Sequence, residues 1–121
     1  MIKGYRDLEV WQKSMDLVVC YQVTKKFPKN EIYGLASRLQ CAVVSVPANI
    51  AEGHQCQHSK EFLQHLSIAC GCLAEVETHI LIAGRLNYID EDQINNVLDK
   101  TPEIGRMLHG LRRSIGKKAK P

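Results

Sequence analysis

The sequence predicts an all-α protein, an up-down-up-down antiparallel four-helix bundle, and three observations carry that prediction. Apolar residues recur at three- and four-residue steps in four successive segments, and no segment alternates apolar and polar as a half-buried strand would. Hydrophobic residues make up 45% of the chain but aromatics only 6%, so Leu, Ile, Val and Ala must build the core, as in helix-on-helix packing. The connections between the four patterns are short, which makes consecutive helices antiparallel neighbours. A chain of 121 residues is enough for one such core.

The first helix is expected over about 7–26, with Asp7 as N-cap. Leu8, Trp11, Met15, Val18 and Gln22 form one line and Val10, Leu17 and Tyr21 a second. Phe27-Pro28 stops it, because the residue before proline is pushed out of the α region. The second, over 31–57 with Asn30 as cap, reads Ile32, Leu35, Leu39, Ala42, Val46 and Asn49. The third, over 59–86, has an unbroken repeat from Phe62 through Leu66, Ala69, Leu73, Val76 and Ile80 to Ala83. Asn87 stands where a left-handed C-cap residue belongs.

The fourth helix, over 91–115, opens on a capping box of Asp90 and Gln93, with Ile89 and Ile94 as hydrophobic staple. Its seam runs Ile94, Val97, Thr101, Ile104, Leu108, Leu111 and Ile115. Pro102 predicts a kink near Lys100 or two abutting helices. Residues 1–115 thus make the bundle and 116–121 a basic tail.

The stretch SVPANIAEG, 45–53, interrupts the second pattern. Pro47 denies the Val43 carbonyl its helical partner, yet the apolar series continues to Ile50 and Ala51, so a kink is expected rather than a stop. Asn49 falls on the buried stripe and must find hydrogen-bond partners. Two readings stand. Asn49 ties off backbone near the kink, with Glu52 solvated and Gly53 as C-cap, or Asn49 and Glu52 make a polar contact with a partner chain or ligand.

YRDLEVWQKS at 5–14, FPKNEIYGLASRLQCAVVSVPANIAEG at 27–53, EFLQHLSIACGCLAEVETHILIAGRLNYI at 61–89 and IGRMLHGLRRSI at 104–115 follow one another in an order that resembles a known family. It is that of the four-helix-bundle proteins encoded in intervening sequences of bacterial 23S rRNA genes. The resemblance implies a cytoplasmic homopentamer without catalysis. A related branch, the accessory proteins of diversity-generating retroelements, implies a reverse transcriptase as a possible partner, together with nucleic acid. Family sequences usually carry two basic residues where this chain has Gln40 and Cys41, which removes positive charge from the second helix.

Positive charge is concentrated elsewhere. The net charge is +3, but residues 104–121 hold six Lys and Arg and no acid, leaving ten basic against thirteen acidic residues in the remainder. Such asymmetry favours an anionic partner. Arg106, His109, Arg113, Lys117 and Lys120 follow helical steps, flanked by Arg112 and Lys118, and form one cationic line if the helix persists past Gly116. With no interleaved aromatics, the expectation is contact with an RNA or DNA backbone rather than base stacking. The binding candidates are Arg106, Arg112, Arg113, Lys117 and Lys118, while Trp11, Tyr33, Pro47, Asn49 and Glu52 are assigned to fold or assembly.

Other chemistry finds little support. A di-iron bundle needs Glu-x-x-His pairs on two helices, whereas Glu61/His65 and Glu75/His79 are four apart and share one helix. His54, Cys56 and His58 lack an obvious fourth zinc ligand. Neither a Cys–His nucleophile pair nor a glycine-rich phosphate loop is indicated. No enzyme activity, metal or cofactor is therefore expected. Glu77 is expected to pair with Arg38 or Arg85, and Gly71 to permit close helix packing. Five cysteines with no apolar leader at the N-terminus argue against a disulfide framework and for the cytoplasm. No stretch is expected to span a membrane. Spare apolar residues off the main stripes, Val10, Leu17 and Tyr21 on the first helix and Ala36, Val44, Ala48 and Ala51 on the second, predict self-association. The alternative is a protein-interaction scaffold or reverse-transcriptase accessory subunit that does not bind nucleic acid directly.

Overall fold

A computed structural model describes residues 4–119, of which Lys118 and Ala119 for the backbone only. The described chain is helical and contains no strand. After a 3-10 turn at Tyr5–Asp7, α1 (Glu9–Leu17) continues into a 3-10 stretch, Val18–Lys26. A second short turn, Lys29–Glu31, leads to α2 (Leu35–Gln55), which is followed by α3 (Ser59–Arg85), α4 (Glu91–Leu98) and α5 (Thr101–Ala119). The fourth arm is thus two abutting helices, with Pro102 in the first turn of α5, where a missing N–H costs nothing.

Several helix ends differ from expectation. Leu8, not Asp7, holds the N-cap position of α1. Asn30 lies in the short turn, and α2 begins later because Glu31 does the capping: its Oε1 accepts the Leu35 N–H at 3.2 Å. Gly53 is not a C-cap. It lies inside α2, buried, where an added Cβ would sit 2.7 Å from the His65 Cβ and 2.9 Å from Phe62. Close approach of two helices, not backbone freedom, requires glycine there. Gly71, by contrast, is exposed and has no atom within 4 Å of such a Cβ, so within the chain it permits no packing. Gly84 takes that part instead, as a Cβ there would overlap Ile94 of α4.

Other ends match the local chemistry. Asn87 has φ 62°, and the Tyr88 N–H reaches the Ala83 carbonyl at 2.9 Å in a Schellman-type close to α3. Asp90 and Gln93 exchange side-chain to backbone bonds of 2.9 Å each, completing the capping box of α4. The basic residues of 116–119 are a continuation of α5 rather than a separate tail.

The core is filled from every arm, by Leu17, Leu39, Val46, Ile50, Leu66, Val76, Ile80, Ile104 and Leu108 among others. Val10, Leu17 and Ala36, read as spare, belong to this core, whereas Tyr21, Val44, Ala48 and Ala51 are exposed or half-buried. Met15 and Gln22, expected on the first stripe, face solvent, and Ser14, Cys20 and Thr24 are buried instead.

α3 packs between α2 and α5. Gly53 meets Phe62 and His65, and Asn49 meets His65, so α2 and α3 run in opposite directions; Gly105 meets Leu73 and Thr101 meets Glu77 across α3 and α5. By length and composition α3 is apolar enough to cross a membrane, contrary to expectation, because it is apolar on two faces. The inner face carries Leu66, Ala69, Leu73, Val76, Ile80 and Ala83; the outer leaves Ile68, Leu81 and Ile82 about half exposed.

Candidate nucleic-acid interface

α5 runs unbroken through Gly116, so the condition for a continuous cationic line is met. At 100° per residue, Arg106, His109, Arg113 and Lys117 fall on the side opposite the buried Ile104, Leu108 and Ile115, and all four are exposed. From Arg106 to Lys117 the line extends about 16 Å at 1.5 Å per residue. The only acid in α5 is Glu103, in its first turn, which completes an ion pair of 3.7 Å with Lys13.

Arg112, which flanks this line, turns away from it. It is half-buried against α3, with Nη1 3.9 Å from the Cys70 Sγ. There it joins His109, Arg113 and Leu63 in an open groove between α3 and α5. Two guanidinium groups over an apolar wall suit a phosphate whose ester substituent lies along the wall. The side chains of Lys118 and Lys120 lie outside the described residues. His109, which fits the helical spacing but is not among the five binding candidates, is thus part of the groove.

The residues assigned to fold or assembly separate into two kinds. Trp11 packs edge-on to Tyr5 with ring centres 5.3 Å apart. Pro47 is buried within α2. Asn49 ties off backbone as one reading expects, donating to the Ser45 carbonyl at 2.9 Å. That bond fixes its Oδ1 as an acceptor, so the 3.0 Å contact to His65 is a donation from Nδ1. Glu52 lies 3.8 Å from the same nitrogen and is largely exposed. Tyr33 is different in kind, 96% exposed and without a part in the core.

Glu77 does not pair with Arg38 or Arg85. Its Oε2 accepts from the Thr101 hydroxyl at 2.7 Å, and Thr101 is only 1% exposed. A carboxylate at the start of α5 also meets the positive end of the helix dipole. Gln40 donates to the Thr24 Oγ1 at 2.8 Å and so binds α2 to the 3-10 stretch. Among the described residues no group of three or more His, Cys, Asp and Glu is placed to hold a metal ion.

This helical architecture and its motifs coincide with a known family. The profile of the 23S rRNA-intervening sequence protein matches residues 6–110. The chain belongs to that family. A crystal structure of a protein of unknown function from the S23 ribosomal protein family, from Bacteroides thetaiotaomicron, shares the fold with a TM-score of 0.78 at 23% identity, over 86% of this chain and 95% of that one. No curated protein matches the sequence. The family match ends at residue 110, so Arg112, Arg113 and Lys117 lie beyond it and Arg106 within it.

Proposed function

We propose that the protein is a non-enzymatic, cytoplasmic homo-oligomer, a pentamer by family resemblance, whose α5 faces bind the phosphate backbone of RNA or DNA. The observation that carries this reading is the line Arg106, His109, Arg113 and Lys117, fully outward on α5 and free of intervening acids. Each phosphate neutralised releases counterions, and several copies in one oligomer multiply the affinity through avidity.

The test is RNA and DNA binding by nuclease-treated protein over a salt series, with Arg112, Arg113, Lys117 and Lys118 all changed to Ala in a second preparation. The parent should lose affinity steeply with salt, and the variant should keep its circular dichroism while its log–log salt slope falls by about 3 per bound protomer. Unchanged binding by the variant would refute the site.

The exposed apolar residues Val44, Ile68 and Ile82 favour a second reading, a scaffold for another protein such as a reverse transcriptase. A pull-down that survives nuclease, from protein that binds no nucleic acid at low salt, would establish it in place of the first.

A further inference from the structure

The groove between α3 and α5 is closed at one end. Arg112 crosses from α5 to Cys70 of α3, with its Nη1 3.9 Å from the Sγ. Further back along α5 the two helices touch, as a Cβ at Gly105 would lie 3.6 Å from a Leu73 methyl. The lining accordingly stops at Leu63, His109, Arg112 and Arg113. His109 and Arg113 also belong to the outward line of α5, so the groove opens directly from that line. A strand following the line can turn into the groove but has no way on between the helices, which favours a strand end over a passing segment.

The donors in the groove distinguish the two kinds of phosphate that a strand carries. The contact with Cys70 occupies one N–H of the Arg112 guanidinium and leaves the others. Among the described residues His109 and Arg113 have no ion-pair partner, and no acid lines the groove. A terminal phosphate monoester offers three acceptor oxygens and about 1.5 to 2 negative charges at pH 7. A diester within the strand has a single charge and one oxygen fewer to offer. Two guanidinium groups and an imidazole N–H match the monoester, each with an oxygen of its own. Leu63, half-buried on the α3 side, supplies an apolar wall for the terminal sugar or base.

We propose that this groove seats the terminal phosphate of an RNA or DNA strand, while the diesters that follow lie on the outward line of α5. This rests on the backbone-binding reading above and names the part of the strand that the groove takes.

Binding of the full chain to a short single-stranded RNA is measured by isothermal titration calorimetry at one low salt concentration. The strand is supplied with hydroxyl ends, with a 5′-phosphate, with a 3′-phosphate, and with hydroxyl ends but lengthened until it carries the same charge as the phosphorylated strands. At least one phosphorylated strand should bind about tenfold tighter than both hydroxyl-ended strands, and which one does so identifies the end. Arg112→Gln should bring that ratio close to unity with its circular dichroism unchanged. Equal affinity for the phosphorylated strands and the lengthened one would overturn end recognition and leave backbone binding standing. A preference that survives Arg112→Gln would overturn the groove as the seat of the end. No binding by any of the four strands would sink the backbone reading and this one together.

Discussion

Along the α2–α3 seam, small and polar residues let two helices close to contact: Gly53 leaves room for Phe62 and His65, and Asn49 and His65 share a hydrogen bond. Along Val18–Lys26 the same chain packs more loosely. Four of those nine residues are β-branched, which disfavours the α form, and the stretch adopts 3-10 geometry with weaker hydrogen bonds instead. Val19 is left 61% exposed, and recesses flank the stretch on both sides, toward α2 and toward α4. The contrast shows that apolar content does not set packing quality. Both regions are apolar and each has a polar tie to α2, but only the seam has a glycine that lets two helices close to contact.

The largest effect is expected where the seam is tightest. Gly53→Val would drive a branched side chain into the Phe62 ring and the His65 Cβ, and the latter cannot yield without moving α3. Overpacking of this kind costs about 3 kcal/mol. Chemical denaturation should show that loss, with the midpoint falling and the slope unchanged. A loss below about 1 kcal/mol would mean the seam is no stiffer than the 3-10 stretch, and the contrast would fail.

A smaller effect belongs to the looser region. Thr24 is buried and bridges two partners, donating to the Tyr21 carbonyl at 2.8 Å and accepting from Gln40. Thr24→Val keeps the shape and deletes both bonds, for a cost of about 1 kcal/mol. Because the stretch is held by few such ties, its amides should open locally, and hydrogen exchange should accelerate over residues 18–26 while α2 and α3 keep their protection. Uniform acceleration across the bundle would show that the stretch opens only with global unfolding.

Much of this was legible in the sequence, and what was not has a physical reason. The capping box at Asp90 and the left-handed Asn87 were readable because local side-chain chemistry determines them. The inner face of α3 was readable because six consecutive stripe positions agree. The 3-10 stretch was not, since an apolar series at steps of three and four fits both helix types over two turns. Gly53 as a packing glycine and Thr101 as the partner of Glu77 depend on helices distant in sequence, which no local pattern encodes. The cationic line was readable as spacing, but Arg112 turns to Cys70 on α3, and only the fold places it in a groove. The outer apolar face of α3 was missed because an unbroken inner stripe draws attention from the residues between it.

The last effect is confined to alkaline pH and absent at neutrality, and it separates burial from tightness within the 3-10 stretch. Cys20 is 4% exposed, and burial pushes its thiol from 9.0 up to about 11, with Lys100 acting weakly in the other direction. The folded state therefore favours the protonated thiol. Its contribution to stability is complete below pH 9 and is lost as the pH rises from about 9 to about 11. Cys20→Ala should flatten that part of the pH–stability curve relative to the parent, leaving in place the shares of Cys56, Cys72 and Tyr88, whose groups are also raised. At pH 9 iodoacetamide should modify the exposed Cys41 well before Cys20. Equal rates at the two thiols would mean that the 3-10 stretch opens faster than the reagent reacts, and that its burial is static only in appearance.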